Sequence, residues 1–189
     1  MTGGLVANAT SDASMFVDTN LFEAVPFIFG SDQPAYLTWR REAARLLEVD
    51  PRNLLIVGSG ARGFSIKNGR DFRASSDVDL AVVSSTHFDA AWWFLRTTSI
   101  GTLKCTSAQR AHIRDFAPKY VYRGCIATDH VLPLLPFGAS WQKAAARLGN
   151  ELPASIGSRV VNFRLYRDIE ALRGYQEYSH TKFPENWSS

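Results

Sequence analysis

The chain has 189 residues, of which 46% are hydrophobic and 12% aromatic, which suits one globular domain with a single core. Its 21 Lys and Arg residues against 18 Asp and Glu residues give a formal net charge of +3, far below the concentrated charge of a dedicated DNA-binding domain. Cys105 and Cys125 are its only cysteines and form no CxxC pair, so neither a disulfide framework nor a structural zinc site is predicted.

The first 20 residues are rich in Gly, Ser, Thr, Asn and Asp and contain few large apolar side chains. We expect residues 1–20 to form a loose or loosely docked N-terminal arm and residues 21–189 to form one domain. The N-terminus lacks the positive and apolar regions of a signal peptide, and no segment reaches the roughly 18 apolar residues of a membrane span. The sequence therefore predicts a cytoplasmic protein with no membrane partner.

The apolar pattern of the N-terminal half predicts one helix and two strands. Apolar residues recur at helical spacing after Pro34, which a first helical turn tolerates. Two continuous apolar runs, separated by Gly-rich and Ser-rich turn signals, are typical of buried strands. The predicted elements are a helix over 36–47 and strands over 54–57 and 77–83.

The C-terminal half is predicted to be mainly helical, with one further strand. Its last predicted helix, over about 161–180, is inferred from apolar residues at a spacing of three or four. The face of that helix would carry Val161, Leu165, Ile169, Leu172 and Gln176. The other predicted elements are helices over 88–95, 107–116, opened by a Ser107 N-cap, and 140–148, and a strand over 120–131.

A glycine-rich motif follows the first predicted strand. Residues 58–63, Gly-Ser-Gly-Ala-Arg-Gly, match the G-x-G-x-x-G pattern of dinucleotide-binding proteins. That pattern requires an amphipathic helix after the glycines, and residues 64–76 do not supply one. The dinucleotide-binding pattern also places its acidic residue at the far end of the second strand. Asp77 and Asp79 instead lie at the start of the second predicted strand. We therefore favour a different interpretation of this segment.

Asp77 and Asp79 are separated by one residue at the start of a predicted strand. Because alternate residues of a strand project to the same face, the two carboxylates are expected to converge. Paired carboxylates suit hard cations such as Mg²⁺. The backbone N–H groups of the turn at Gly58, together with the Ser59 hydroxyl, are suited to binding phosphate. The two features predict a metal–phosphate site.

This arrangement resembles the DNA polymerase β-like nucleotidyltransferase superfamily, in particular its stand-alone bacterial members, which include cyclic-oligonucleotide synthases. The resemblance rests on Gly58-Ser59 after an apolar strand and on Asp77-Val78-Asp79 within the next one. It covers residues 53–84 firmly and extends loosely to about residue 136. It implies an α/β nucleotidyltransferase fold, with a mixed, partly antiparallel sheet and helices mainly on one face.

The resemblance also implies an activity. The expected reaction is Mg²⁺-dependent transfer of a nucleotidyl group from a nucleoside triphosphate such as ATP to a hydroxyl acceptor, with release of pyrophosphate. Two Mg²⁺ ions are expected, with Mn²⁺ as an alternative, held by Asp77, Asp79 and a third acid. Asp129 is the candidate for that acid, and Arg62 is expected near the phosphates beside Gly58 and Ser59. The acceptor could be a nucleotide, RNA, a protein or a small molecule.

Two departures from the family pattern leave an alternative open. The segment between Ser59 and Asp77 is longer than usual, as though residues 66–72 were an inserted hairpin with Asn68-Gly69 at its tip. The chain is also too short for the helical domain of the larger members. A catalytically silent protein that binds a nucleotide, a nucleic acid or a protein partner is therefore the alternative hypothesis.

Overall fold

A computed structural model describes residues 12–97, 104–116 and 121–182, without the side chains of residues 115 and 116. Its described strands form one mixed sheet in the order β1-β2-β4-β3. β1 is antiparallel to β2, β2 is parallel to β4, and β4 is antiparallel to β3. The predicted single α/β domain with a partly antiparallel sheet is confirmed. The strands are β1 (Leu54–Val57), β2 (Val78–Val83), β3 (Cys125–Ala127) and β4 (Val161–Tyr166).

The α-helices agree with most of the sequence predictions, and side chains cap the N-termini of α1 and α4. At the start of α1, the backbone N–H of Ala35 donates to the Asp32 carboxylate (2.9 Å). Thr106, rather than the predicted Ser107, caps α4 by accepting from the Gln109 N–H (3.2 Å). The helices are α1 (Gln33–Leu47), α2 (Gly58–Arg62), α3 (Ser85–Thr97), α4 (Ser107–Phe116), α5 (Gly138–Asn150) and α6 (Ile169–Lys182).

Helices lie on both faces of the sheet, with α1, α3 and α5 packed together on one and α6 on the other. Trp141 of α5 packs against Phe163 of β4, with ring centroids 5.1 Å apart. Tyr175 of α6 packs against Tyr166 of the same strand at 5.9 Å. Residues 163 and 166 are an odd number apart and point to opposite faces. The α5 face is buried core, and the α6 face contains the candidate site.

The long C-terminal helix predicted over about 161–180 is wrong in its first part. Residues 161–166 form β4, and the helix begins only at Ile169. Val161, Phe163 and Leu165 are buried, whereas Asn162 and Arg164 are partly exposed, which is the two-residue period of a strand. Apolar residues at 161 and 165 satisfy both the helical and the strand period, so their spacing alone did not distinguish the two.

The strand predicted over 120–131 is much shorter than expected. Only Cys125–Ala127 forms β3, and residue 120 lies outside the described residues. Gly124 has a φ of +71° immediately before the strand, and residues 132–134 form a 3₁₀ turn after it. Turns on both sides therefore confine β3 to a short edge strand.

The described part of the predicted arm, residues 12–20, is docked on the domain. Residues 12–22 are helical, whereas residues 1–11 lie outside the described part of the chain. Val17 and Leu21 are buried in the core, and this segment packs against β1 and α2. Asp18 forms an ion pair with Arg173 of α6 (2.6 Å). The segment is therefore docked beside the elements that form the candidate site.

The docked segment leads to a stability prediction. Leu21 is only 5% exposed, so Leu21→Ala should lower the free energy of unfolding by about 2 to 4 kcal/mol through lost apolar contacts and an unfilled cavity. Met15, on the same segment, is 67% exposed, and Met15→Ala should change the free energy of unfolding by less than about 0.5 kcal/mol. Urea denaturation measures both, and equal effects would contradict the docking of residues 12–22.

Candidate active site

The turn after β1 lies in direct contact with the first carboxylate of the site. Gly58 follows Val57, which pairs with Asp79 in the β1–β2 ladder. Gly58 has a φ of +66°, and a Cβ built on it would come 3.0 Å from Oδ2 of Asp79. Glycine is therefore required at residue 58 for its backbone conformation and for the space that Asp79 occupies.

Asp77 and Asp79 lie at the same end of β2, as predicted. Asp79 is the second residue of the strand, whereas Asp77 immediately precedes the strand and is exposed. Asn162 pairs with Asp79 in the parallel β2–β4 ladder, and its Nδ2 donates a hydrogen bond to Oδ2 of Asp77 (3.2 Å). This bond fixes one oxygen of Asp77 and leaves the other free of side-chain hydrogen bonds within the described residues.

Arg164 is the counter-ion of Asp79. It lies two residues beyond Asn162 on the same face of β4, and its Nε is 3.5 Å from Oδ1 of Asp79. Burial raises the pKa of Asp79, Arg164 lowers it, and the charges of Asp129 and Asp77 raise it again, so that it stays above its usual value. Burial lowers the pKa of Arg164, but the carboxylates of Asp79 and Asp129 outweigh this effect and raise it. The site is therefore an electrostatically coupled group.

Asp129 approaches the other carboxylates from the end of β3. Ala127 pairs with Arg164, and the next residue, Thr128, still donates hydrogen bonds from its N–H (3.3 Å) and its hydroxyl (2.9 Å) to the carbonyl of Phe163. Asp129 therefore begins level with Asn162. It is exposed, and its charge contributes to the raised pKa of Asp79. All three predicted acids thus lie at one end of the sheet.

These acids are neighbours without forming a closed metal-binding cluster. Among residues 12–97, 104–116 and 121–182, no three His, Cys, Asp or Glu side chains are grouped so that they could hold a metal ion. Asp77 and Asp79 remain a pair, with Arg164 beside one member. Two carboxylates are nonetheless enough for Mg²⁺, which commonly takes one or two protein carboxylates and fills its octahedron with phosphate oxygens and water.

A basic cleft opens beside this group, between the Gly58-Ser59 turn and α6. Its volume is about 440 Å³, within the range of about 300 to 1,000 Å³ that is common for small-molecule sites. Asp79 is its only acidic lining residue within the described chain, so the cleft is suited to an anion. Its other charged and hydroxyl-bearing lining residues are Arg62, Lys67, Arg164, Lys182, Ser59, Ser65, Tyr175, Tyr178 and Ser179.

Arg62, predicted to lie near the phosphates, lines this cleft and has no carboxylate partner there. Its Nη2 donates a long hydrogen bond to Oε1 of Gln176 (3.4 Å), and its buried Nε has no hydrogen-bond partner among the described residues. Burial lowers the pKa of Arg62 to about 10. A partly desolvated guanidinium without a counter-ion favours binding of an anion, since the anion would offset the cost of burying the charge.

The dinucleotide-binding interpretation of residues 58–63 is excluded by the fold. That unit requires two parallel strands joined by a crossover helix, whereas β1 and β2 are antiparallel. The helix after the glycines, α2, is only five residues long. A bridge between Phe64 and Asp71 then forms a hairpin in the segment where an insertion was predicted.

The sequence reasoning missed the contributions of β4 and α6 to the site. Asn162 and Arg164 were assigned to the wrong kind of element, and Gln176 and Lys182 were not predicted as site residues. The missed signal was the alternation Val161-Asn162-Phe163-Arg164-Leu165, in which polar residues occupy every second position. A strand with polar side chains on one face indicates a functional or solvent-facing surface there.

Comparisons with family models, with curated proteins and with solved structures found no match to this chain. None of the helices in the described part of the chain has the length and apolar character needed to cross a bilayer. The chemistry of the site must therefore be argued from its own residues.

The contact between Gly58 and Asp79 can be tested by stability measurements. Gly58→Ala should lower the free energy of unfolding by about 1 to 3 kcal/mol, because of the positive φ and the new contact with the carboxylate. In an Asp79→Ala background the cost should be smaller, because the steric part disappears. Gly174→Ala is the matched control, since a Cβ there meets no atom within 4 Å. A cost that is the same in both backgrounds would contradict the contact.

Proposed function

We propose that the protein binds a Mg²⁺-complexed nucleoside triphosphate at the Gly58-Ser59 turn and transfers its nucleotidyl group to a hydroxyl acceptor, releasing pyrophosphate. The observation that carries the proposal is the contact of the Gly58 backbone with Asp79, where a Cβ would come 3.0 Å from the carboxylate. A phosphate held by this turn would lie next to carboxylates that suit Mg²⁺.

The basic cleft supports the nucleotide part of this proposal. Its volume of about 440 Å³ is of the right order for a nucleotide, and its charge is mainly positive. Tyr178 lines the cleft and is 45% exposed, and two cations lie over its ring, the Arg123 guanidinium at 4.7 Å and the Lys182 ammonium at 5.7 Å from the centroid. Arg62 and Lys182 provide charge for the phosphate chain, and the hydroxyl of Ser59 provides a hydrogen-bond donor.

In the proposed reaction, Asp77 and Asp79 would hold Mg²⁺, which would neutralise phosphate charge and activate the acceptor hydroxyl. Asn162 orients Asp77 through its hydrogen bond. The acceptor oxygen forms a bond to the α-phosphorus while the bond to the β-phosphate oxygen breaks, so that pyrophosphate leaves. Asp129, at the open end of the site, receives the proton of the acceptor hydroxyl. Arg62 neutralises charge on the departing phosphates.

The proposal includes the fold family. The arrangement that supports a polymerase β-like nucleotidyltransferase is a buried strand, a Gly-Ser turn opening a short helix, and an antiparallel neighbour that begins with two carboxylates. β4 then continues the sheet in parallel beside the carboxylates. Of these elements, the resemblance of residues 53–84 implies the first strand, the Gly-Ser turn and the second strand with its two carboxylates.

One observation favours the alternative, a silent protein that binds a nucleotide. Arg164 supplies a permanent positive charge 3.5 Å from Oδ1 of Asp79, where it competes with a metal ion for that carboxylate. In a silent protein, Arg164 would substitute for the metal and bind phosphate directly. The two functions differ in their requirement for Mg²⁺, so nucleotide affinity with and without the ion distinguishes them.

The metal-binding roles lead to a prediction for Asp77 and Asp79. Asp77→Asn and Asp79→Asn should each abolish the Mg²⁺-dependent part of triphosphate affinity, because each removes a negatively charged ligand of the ion. Isothermal titration with ATP, with and without Mg²⁺, measures this part. Glu170→Gln, which removes an exposed carboxylate from α6, is the control and should bind as the wild type does. Unchanged Mg²⁺-dependent affinity in the double Asn variant would exclude this site.

Asp129 is predicted to act on chemistry more than on binding. Asp129→Asn should retain most of the Mg²⁺–triphosphate affinity but lower turnover by roughly 100-fold or more, the usual contribution of a positioned general base. Pyrophosphate release from each of the four triphosphates, measured with a panel of acceptors, provides the readout. Wild-type turnover in this variant would remove Asp129 from the mechanism. A wild-type protein that binds triphosphate but releases no pyrophosphate would support the silent alternative.

A further inference from the structure

A second groove adjoins the basic cleft on the far side of Ser59. It has a volume of about 220 Å³, and Ser59 and Ser65 line both cavities, so that the two form one continuous surface past the Gly58-Ser59 turn. We call it the hairpin groove. Its lining residues are Ser59, Ser65, Asn68, Arg70, Asp71, Arg73, Ser75 and Ser76.

The hairpin that forms this groove has a fixed base. Phe64 bridges to Asp71, the Ser65 N–H donates to the Arg70 carbonyl (2.8 Å), and the Phe72 N–H donates to the Gly63 carbonyl (2.6 Å). The Phe72 ring meets Phe27 at 6.3 Å, and Ile66 is buried. The charged side chains of the hairpin are thus presented from an anchored element.

The positive charge of the hairpin is not neutralised within the described chain. Lys67, Arg70 and Arg73 are exposed, and none forms an ion pair with a described carboxylate. The groove itself contains one acid, Asp71, beside two arginines, four serines and an asparagine. Arg, Ser and Asn side chains are the groups that proteins use to contact phosphate oxygens of nucleic acids.

We propose that the hairpin groove binds the backbone of a single-stranded nucleic acid, which is the acceptor of the transferred nucleotide; this inference rests on the proposed function. A nucleoside triphosphate in the basic cleft can reach Lys67 but leaves Arg70 and Arg73, which line only the hairpin groove, without a ligand. A single-stranded nucleic acid in the groove supplies further phosphates to Arg70 and Arg73 and ends at Ser59, beside the carboxylates.

The groove favours a single strand over the other acceptor classes. It is too small for a duplex, but a narrow positive groove is suited to following one sugar–phosphate backbone. Its lining residues are polar, and it lacks an apolar pocket for a protein side chain. The reaction is then the extension of the nucleic-acid strand by one nucleotide. The terminal hydroxyl oxygen of the strand bonds to the α-phosphorus, its proton passes to Asp129, and pyrophosphate leaves.

Fluorescence anisotropy with a labelled single-stranded RNA of about 12 nucleotides, long enough to extend past the groove on both sides, tests the inference. The variant is the double substitution Arg70→Ala with Arg73→Ala, which changes exposed side chains outside the carboxylate group. We expect roughly tenfold weaker binding, and a log–log salt dependence that is shallower by about 1.4, because two phosphate contacts are lost. Affinity for Mg²⁺–ATP should not change.

The matched control removes two exposed arginines that line neither cavity, by Arg41→Ala with Arg52→Ala. RNA affinity equal in the two double variants would overturn the inference, since net charge alone would then explain binding. So would a poly-glutamate peptide that binds as tightly as the RNA, which would indicate an acidic protein partner. The same measurement with a DNA strand of the same sequence distinguishes a preference for RNA from a preference for DNA.

The proposed function and this inference fail in different ways. A wild-type protein that binds Mg²⁺–ATP but no single strand would overturn the inference and leave the proposed function intact. A protein that binds the strand at the hairpin but no triphosphate would overturn the proposed function, and with it the acceptor role. The strand-binding surface would then remain.

Discussion

The parallel pairing of β2 with β4 is the constraint on which the site depends. Alternate residues of paired strands face the same side, so this register sets Asn162 opposite Asp79 and brings Arg164 to 3.5 Å from the same carboxylate. A shift by one residue would turn Asn162 and Arg164 into the core and Phe163 out of it. The burial of Phe163 against Trp141 therefore fixes the position of the polar group on the opposite face.

In the absence of a ligand, the charges of the site are only partly balanced. Asp79 has Arg164 as a counter-ion, but Arg62 has only the amide oxygen of Gln176, and burial lowers its pKa to about 10. Bringing a phosphate to Arg62 relieves that cost, whereas bringing a cation to Asp79 requires Arg164 to give up part of its interaction. This asymmetry favours phosphate binding independently of catalysis, so it supports both the transferase and the silent nucleotide-binding protein.

Local signals determined how much of this was predictable from the sequence. The apolar runs of β1 and β2, the turn at Gly58 and the spacing of Asp77 and Asp79 are contained in one short segment, and the structure has them as expected. β4 lies far from that segment in sequence and pairs with it only in the folded chain. Arg164 therefore has no local feature that assigns it to Asp79. The docking of residues 12–20 was missed for a related reason, because the burial of this segment depends on its packing against β1 and α2.

The order β1-β2-β4-β3 puts the two short strands at the edges and the two six-residue strands in the centre. Backbone amides of central strands are hydrogen-bonded on both sides and usually exchange with solvent only when the whole domain opens. Asp79, Asn162 and Arg164 are attached to those two strands, so thermal fluctuations at the edges leave their spacing unchanged. Asp129 extends from the edge strand β3 and lacks this protection. Asp79, Asn162 and Arg164 are thus held rigidly with respect to one another, whereas Asp129 can change its distance from them.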